Sequence, residues 1–562
     1  MLLNVNIIKK ISCVLLIFCW FGCNTHTEIK EKEIVKVPEK MDDQISDNIK
    51  SVLSFAKENN GKISDSLKLV EWQIVNSFYE KNNFRGIWSK EENWNPVADS
   101  MFQFIKKSKY YGLYPNDYHY QELDSLRTRI SNDSLVRMDA IAWTKADLML
   151  SDAFMKTLKD LKEGRIIPDS PSITNKENFI DSFFIANLEK ASSSDRVSEL
   201  FDSVEPANIH YASLKEALKD FVDSMDTTHY LHVDFPYTDT LAFYDQLYKR
   251  LTQAGFGSDT IHVVDSVMVS DEVKKYQYHE KLKVDGKPGE GTIGFLNDND
   301  NERFKRIAIT LDRYKSIPAF PKTYVWVNIP GFYLELWDDD TVIFKSKVVV
   351  GKPATQTPTL HSEISNMVIF PNWTIPESII KKEILPALKE DPGYLYRKGF
   401  SLVDYKGDEV DPFTVDWSKY KKGIPWKIVQ GSGDDNALGI FKFNFNNPYS
   451  VYLHDTNQRY LFANSNRALS HGCVRVQKWE SLAFYIARQD SISSAGNRTM
   501  RYNIDSLKTW IANKDRKTVM IKNRLPLYIQ YLTCVGKDDK ITFYKDIYSD
   551  DQALGDKYFA NK

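Results

Sequence analysis

The sequence predicts a multidomain α+β protein, with a helical scaffold domain, a small helical module and a mostly β domain that carries an inserted capping (lid) subdomain. Three observations carry that prediction. Helical periodicity dominates the first half, alternating apolar strands broken by Gly and acidic turns dominate from about residue 320, and the strand pattern lapses between 372 and 435. At 562 residues the chain exceeds one core, and roughly one domain per 150 residues suggests three or four. The formal charge of −2 supplies no basic field for nucleic acid. An aromatic content of 13% suits large β cores or surfaces that stack on sugars and peptides.

The N-terminus comes first in the chain and differs from the rest. Lys9 and Lys10 precede the apolar run Ile11 to Phe21, which ends in Gly22-Cys23, the pattern of a secretory signal over residues 1–22. A small residue directly before Cys resembles a bacterial lipoprotein signal, making Cys23 the expected site of lipidation. An uncleaved anchor is the alternative, disfavoured because the run is shorter than the ~20 residues a span requires. Either reading exports the body and tethers it to a membrane. Residues 23–64 are rich in Lys, Glu, Asp and Asn and read as a flexible tether.

Residues 65–239 read as helical. Leu148, Phe154, Leu158 and Leu161 share a face of a segment from Asp139 to Glu163, closed by Gly164. Leu214, Ala217, Leu218 and Phe221 repeat at i, i+3, i+4, i+7. Tyr111 to Tyr118 is a turn-rich link. His119, His210 and His229 lack metal-ligand spacing and read as surface or core-edge residues.

Residues 240–300 form the small module. Two helical stretches precede Leu282-x-x-Asp285-Gly286, Thr292 and Leu296-Asn297, an order that resembles the three-helix peptidoglycan-binding module; a generic helical connector is the alternative. Residues 301–320 are expected to be a helical linker, with the helix over Asn301 to Ser316.

The β-rich domain spans 321–550. Thr323 to Pro330, Tyr333 to Trp337 and Val342 to Gly351 read as strands. The insertion 372–435 opens with a helix from Ile375 to Leu388 and closes at Gly431 to Gly439. Such excursions beside a chemical motif serve as lids or substrate walls. Strands resume at Phe441, and residues 551–562 are expected to be a tail.

Chemistry concentrates between Tyr452 and Val476. Cys473 follows His454 by 19 positions, too far for one helical face but within reach of two adjacent strands. A thiol beside an imidazole is a nucleophile beside a base. With Cys13 and Cys19 in the signal and Cys23 acylated, only Cys473 and Cys534 remain. Exported proteins normally pair their cysteines, so a lone thiol in a His-containing motif suggests retention for chemistry; a Cys473–Cys534 disulfide is the structural alternative. His454 is expected to stabilise the thiolate as imidazolium, with Asp455 orienting its ring through carbonyl or carboxylate. Gly472 and Cys473 offer backbone N–H groups to an oxyanion, and Arg475 suits a substrate carboxylate. The plain alternatives are a packed His454, a turn-forming His471 and a solvated Arg475.

His454 followed by Ser470-His471-Gly472-Cys473-Val474-Arg475 resembles the signature of L,D-transpeptidases with a YkuD-type catalytic domain. Pro371 to Ile380, Asn436 to Gly439 and Asn447 to Thr456 resemble the large Gram-negative enzymes of that family, and Asp147 to Pro168 resembles their scaffold domain. The resemblance implies a peptidoglycan cross-linking enzyme. Cys473 would attack a tetrapeptide stem, release D-Ala and pass the acyl group to the diaminopimelate-type side-chain amine of a second stem, giving a 3→3 link. It further implies His454 as general base and acid, the Asp455 carbonyl as its orienting group, and His471, Gly472 and Cys473 around the oxyanion site; Arg475, Tyr452 and Ser470 as substrate contacts are a separate expectation that the resemblance does not carry. No cofactor or metal is expected, because thiol acyl transfer is complete without one. An L,D-carboxypeptidase using water, an enzyme using a lipoprotein lysine, and a non-catalytic peptidoglycan-binding lipoprotein are the alternatives.

Overall fold

The computed structural model describes residues 31–167, 179–194, 196–258, 265–317, 319–493 and 502–559. The signal-type segment and Cys23 lie outside them, as does Pro168. The chain divides into two compact units, one built from residues up to 98 together with 121–155, the other from 99–120 together with 156 onward.

In the first unit, the stretch expected to be a flexible tether contains a helix, Met41–Glu58, which buries Met41, Ile45, Ile49, Val52, Leu53 and Ala56. The correction has a simple cause: these apolar residues recur at helical spacing, and the intervening charges dilute them in any count of composition. The backbone N–H of Val35 donates to the Met138 carbonyl, and that of Ala140 to Glu33, pinning the segment ahead of the helix. Two buried carboxylates on the helix Ala140–Lys162 organise the surrounding loops. Asp147 accepts from the amides of Ile87 and Trp88 and from the Tyr79 hydroxyl, and Asp152 accepts from the amides of Val70 and Glu71. Buried polar groups of this kind are tolerated because every oxygen is paired.

In the second unit, the helix Ile209–Ser224 buries Leu214, Ala217 and Leu218 as its periodicity requires. Helices Thr240–Gln253, Ser266–His279 and Glu290–Asn297 enclose a separate core that includes Leu247, Leu251, Val273 and Ile293. The Asp285-Gly286 turn is held by Gln277, whose side-chain carbonyl accepts from both turn amides while its amide donates to Thr292. The expected linker is a helix, Asp300–Lys315, but not a spacer. Phe304, Ile307, Leu311 and Tyr314 are buried against Trp326 and Leu532 of the β domain. The expected tail is likewise structured: the helix Asp550–Tyr558 pairs Asp551 with Arg313 and Thr533, and Phe559 is buried beside Ala308 and Ile309.

The β domain is built on strands β1 (Thr323–Asn328), β2 (Tyr333–Asp338), β3 (Thr341–Gly351), β4 (Leu360–Ile369), β8 (Phe441–Phe445), β9 (Leu453–His454), β10 (Ala468–Ser470), β11 (Val474–Val476) and β12 (Lys517–Gln530), with β5 (Trp373–Thr374), β6 (Phe400–Val403) and β7 (Lys427–Gln430) in the insertion. The nine strands run β10-β3-β11-β9-β8-β4-β12-β1-β2, and β2 also pairs with the first half of β3. The sheet therefore closes on itself and leaves few free edges. Its interior collects Val325, Leu360, Phe441, Phe443, Leu453, Val474 and Val476. The insertion folds as a small sheet of order β5-β7-β6 with its own core, which includes Ile380, Leu388, Leu402 and Ile428.

Candidate active site

Short strands place the chemical motif. β9 lies between β8, antiparallel with Lys442 opposite His454, and β11, parallel with His454 opposite Arg475. Residues paired across strands share a face, so Lys442, His454 and Arg475 form one row. Cys473 and Tyr452 precede Arg475 and His454 by two positions and form the next row. The opposite faces of the same strands supply Phe441, Phe443, Leu453 and Val474 to the core, which fixes the register because a one-residue slip would exchange the two faces.

Cys473 is a free, half-buried thiol, and Cys534 is free and buried, so the disulfide alternative is not realised. Cys534 instead donates to Thr310, and burial pushes its thiol up to about 12. At Cys473 burial also raises the thiol. The Tyr452 backbone N–H and hydroxyl, then the charges of Lys442 and Arg475, act in the opposite direction. The Tyr452 hydroxyl in turn accepts from Trp373 on β5. The Tyr452 ring lies 5.5 Å from the His454 ring in a T-shaped contact, and Lys442 Nζ sits 3.8 Å from the Tyr452 ring centroid.

His454 is 4% exposed, and its Nδ1 has no hydrogen-bond partner among the described residues. Burial, followed by Arg475 and Lys442, pushes its pKa down to about 3, against the pull of the Asp455 and Leu438 carbonyls. The ring is therefore neutral at ordinary pH. This corrects the expected imidazolium: burial and two neighbouring cations disfavour the charged ring. The Asp455 carboxylate accepts from the Ile440 amide and pairs with Arg459. A side chain at Gly439 would place its Cβ 2.3 Å from that carboxylate, so only glycine fits there.

The turn that carries Cys473 uses its own polar groups. Gly472 has φ +115°, which favours glycine. The Ser470 hydroxyl donates to the Cys473 carbonyl at 2.6 Å and accepts from the Gly472 amide at 3.1 Å. Two expectations change in consequence. The Gly472 N–H is committed within the turn rather than offered to an oxyanion, and Ser470, 2% exposed, builds the turn rather than contacting substrate. His471 is exposed and bonds through Nε2 to Glu383 of the insertion at 2.7 Å, with Lys352 3.8 Å from the same carboxylate oxygen. Arg475 donates to Gln458 at 2.8 Å, while its buried Nε has no partner among the described residues. Tyr452 stands beside the thiol, not apart from it as a separate substrate contact.

Lys442, Trp373, Glu383 and Gln458 were absent from the sequence-derived set. The alternation Phe441-Lys442-Phe443-Asn444-Phe445 immediately before His454 is the signal that marks Lys442, since its Phe residues claim the core face. Among the described residues no group of three or more His, Cys, Asp or Glu side chains is placed to hold a metal ion, and none of their helices is long and apolar enough to cross a membrane.

Comparison with known proteins finds matches to two stretches of the chain. Residues 322–492 match the L,D-transpeptidase catalytic domain (YkuD) and residues 73–218 the Scaffold domain. The chain thus carries a stretch similar to the YkuD L,D-transpeptidase catalytic domain, preceded by a stretch similar to the Scaffold domain. A Haemophilus influenzae protein provisionally described as an L,D-transpeptidase is 35% identical over 250 residues, 44% of this chain and 49% of its own. The chain therefore spans about half the length of that curated relative. A crystal structure of a mutant Enterococcus faecium L,D-transpeptidase covers 38% of this chain and 52% of its own at 10% identity and a TM-score of 0.15. An avibactam carbamoyl enzyme structure covers 49% and 83% at the same identity and score. Likeness at that level carries no argument here.

Proposed function

We propose that the protein is a peptidoglycan L,D-transpeptidase that forms 3→3 cross-links through a thioester on Cys473. The observation that supports this most is the free thiol of Cys473, in the row next to a buried, neutral His454 whose Nδ1 is unpartnered. In this reading the neutral imidazole takes the thiol proton as Sγ attacks the carbonyl that joins the third stem residue to D-Ala. The tetrahedral oxyanion collapses to the thioester, and His454 returns the proton to the departing D-Ala amine. The side-chain amine of a second stem then attacks the thioester and gives up its proton to the same imidazole as the thiol leaves. With the Gly472 amide committed to Ser470, the Cys473 amide is the oxyanion donor in this scheme. The half-partnered Arg475 supplies the cation for a stem carboxylate.

The site sits in the cell envelope, with the body held by a lipid on Cys23. The purified body, residues 24–562, tests the assignment when incubated with tetrapeptide muropeptides. Dimers with release of D-Ala support it. Tripeptide without dimers marks water as the acceptor, and no turnover marks a wall-binding protein.

A further inference from the structure

We propose that Lys442 is an electrostatic positioning residue of this site, its ammonium resting on the Tyr452 ring to stabilise the Cys473 thiolate and the anion that forms on attack. The proposal rests on Cys473 being the nucleophile. Lys442 shares the strand row of His454 and Arg475, and its Nζ lies 3.8 Å from the centroid of the ring whose hydroxyl bonds the thiol. No carboxylate pairs with it among the described residues; across β4 it faces the apolar Val368.

A half-buried, unpaired lysine is costly to maintain. It is held here where its charge falls on two reacting groups. Burial lowers its own pKa, and the Cys473 thiol pulls in the opposite direction. The same charge favours the thiolate and disfavours protonation of His454. The remaining groups that face the thiol do not replace it. His454 is neutral, Tyr452 is held protonated by burial, Trp373 is uncharged, and one arm of Arg475 is engaged with Gln458. Glu383 of the insertion is bonded to His471 and lies 3.8 Å from Lys352. Lys442 thus supplies the positive field that reading the sequence alone assigned to imidazolium.

The test is the pH dependence of iodoacetamide alkylation at Cys473, read by intact mass and peptide mapping in the wild-type protein, K442M, K442Q and K442R. An opposite charge within a few ångströms shifts a pKa by about one unit or more. K442M and K442Q should therefore alkylate at a midpoint about one pH unit higher and roughly tenfold more slowly at pH 7, while K442R stays near wild type. Loss of the side chain's packing alone would not be rescued by arginine and would not move the midpoint. Neutral variants that titrate as wild type does, or K442R shifting as far as K442M, would overturn the proposal. Alkylation needs no turnover, so wild-type protein that forms no dimers would count against the transpeptidase reading alone, and an unmoved midpoint with intact dimer formation against Lys442 alone.

Discussion

Burial sets the resting state of the two side chains proposed to react, and it shifts their pKa values in opposite directions: Cys473 is pushed toward the thiol and His454 toward the neutral ring. A standing thiolate–imidazolium pair is thereby disfavoured, and activation falls to proton transfer during attack. A pH profile checks this. With His454 held near 3, kcat/KM for stem acylation should stay flat as pH falls from 7 to about 5, whereas a limb centred near 6.5 would mark an unshifted imidazole. His454→Gln should lower acylation by roughly 10²- to 10⁴-fold, the usual contribution of a general base. The proposed nucleophile and base were singled out at this scale because chemistry demands a thiol and an imidazole, and the sequence offers few of either. The hydrogen bonds around them were not. Nothing in Ser470-His471-Gly472 states that the serine hydroxyl takes the Gly472 amide, because that depends on the turn closing with φ +115°.

At the level of elements, the insertion reaches the motif through Trp373 at Tyr452, through Glu383 at His471 and through the Asp435 carbonyl at Asn457. Glu383 lies in the helical stretch Glu377–Glu390, whose middle turn, Ile380–Ile384, is a π-helix. His471 and Lys352 outweigh burial and hold its carboxyl below the usual range. The pair is partly solvated, so Glu383→Gln should change stability by less than about 1 kcal/mol while raising amide exchange across residues 380–390; unchanged exchange would show that the pair does not fasten the insertion. The break in strand alternation is the sequence signal that suggested an insertion here. Its bond to His471 left no such signal, since residues 383 and 471 meet only once the closed sheet brings them together. The helix Met41–Glu58 was missed for a different reason, its apolar stripe being outnumbered by charge, and the helix Asp550–Tyr558 is fixed by Arg313 pairing rather than by its own pattern.

Across the whole molecule, stability should follow buried histidine as well as the site. His210 stacks on Trp326 at 4.4 Å and bonds the Tyr324 hydroxyl, and burial lowers its pKa to about 3. The unfolded chain binds a proton at this residue below about 6.5 and the native state does not until about 3, so its contribution falls as pH drops through that window. Melting of wild-type protein and His210→Phe at pH 7 and pH 4.5 checks the sign: the variant should lose less stability on acidification. An equal loss in both would place the acid sensitivity elsewhere. The two-part organisation at this scale, helices first and a closed sheet afterwards, was visible in the change of period near residue 320. The closure of the sheet through β2 and β3 was not, because pairing between strands leaves no local pattern.

The central claim is that Cys473 carries the acyl group between stems. Incubating residues 24–562 with purified tetrapeptide muropeptides, and resolving the products by mass, tests it most directly. The wild-type protein should release D-Ala and form 3→3 dimers, and Cys473→Ala should form none. Dimers produced by the alanine variant would contradict the mechanism.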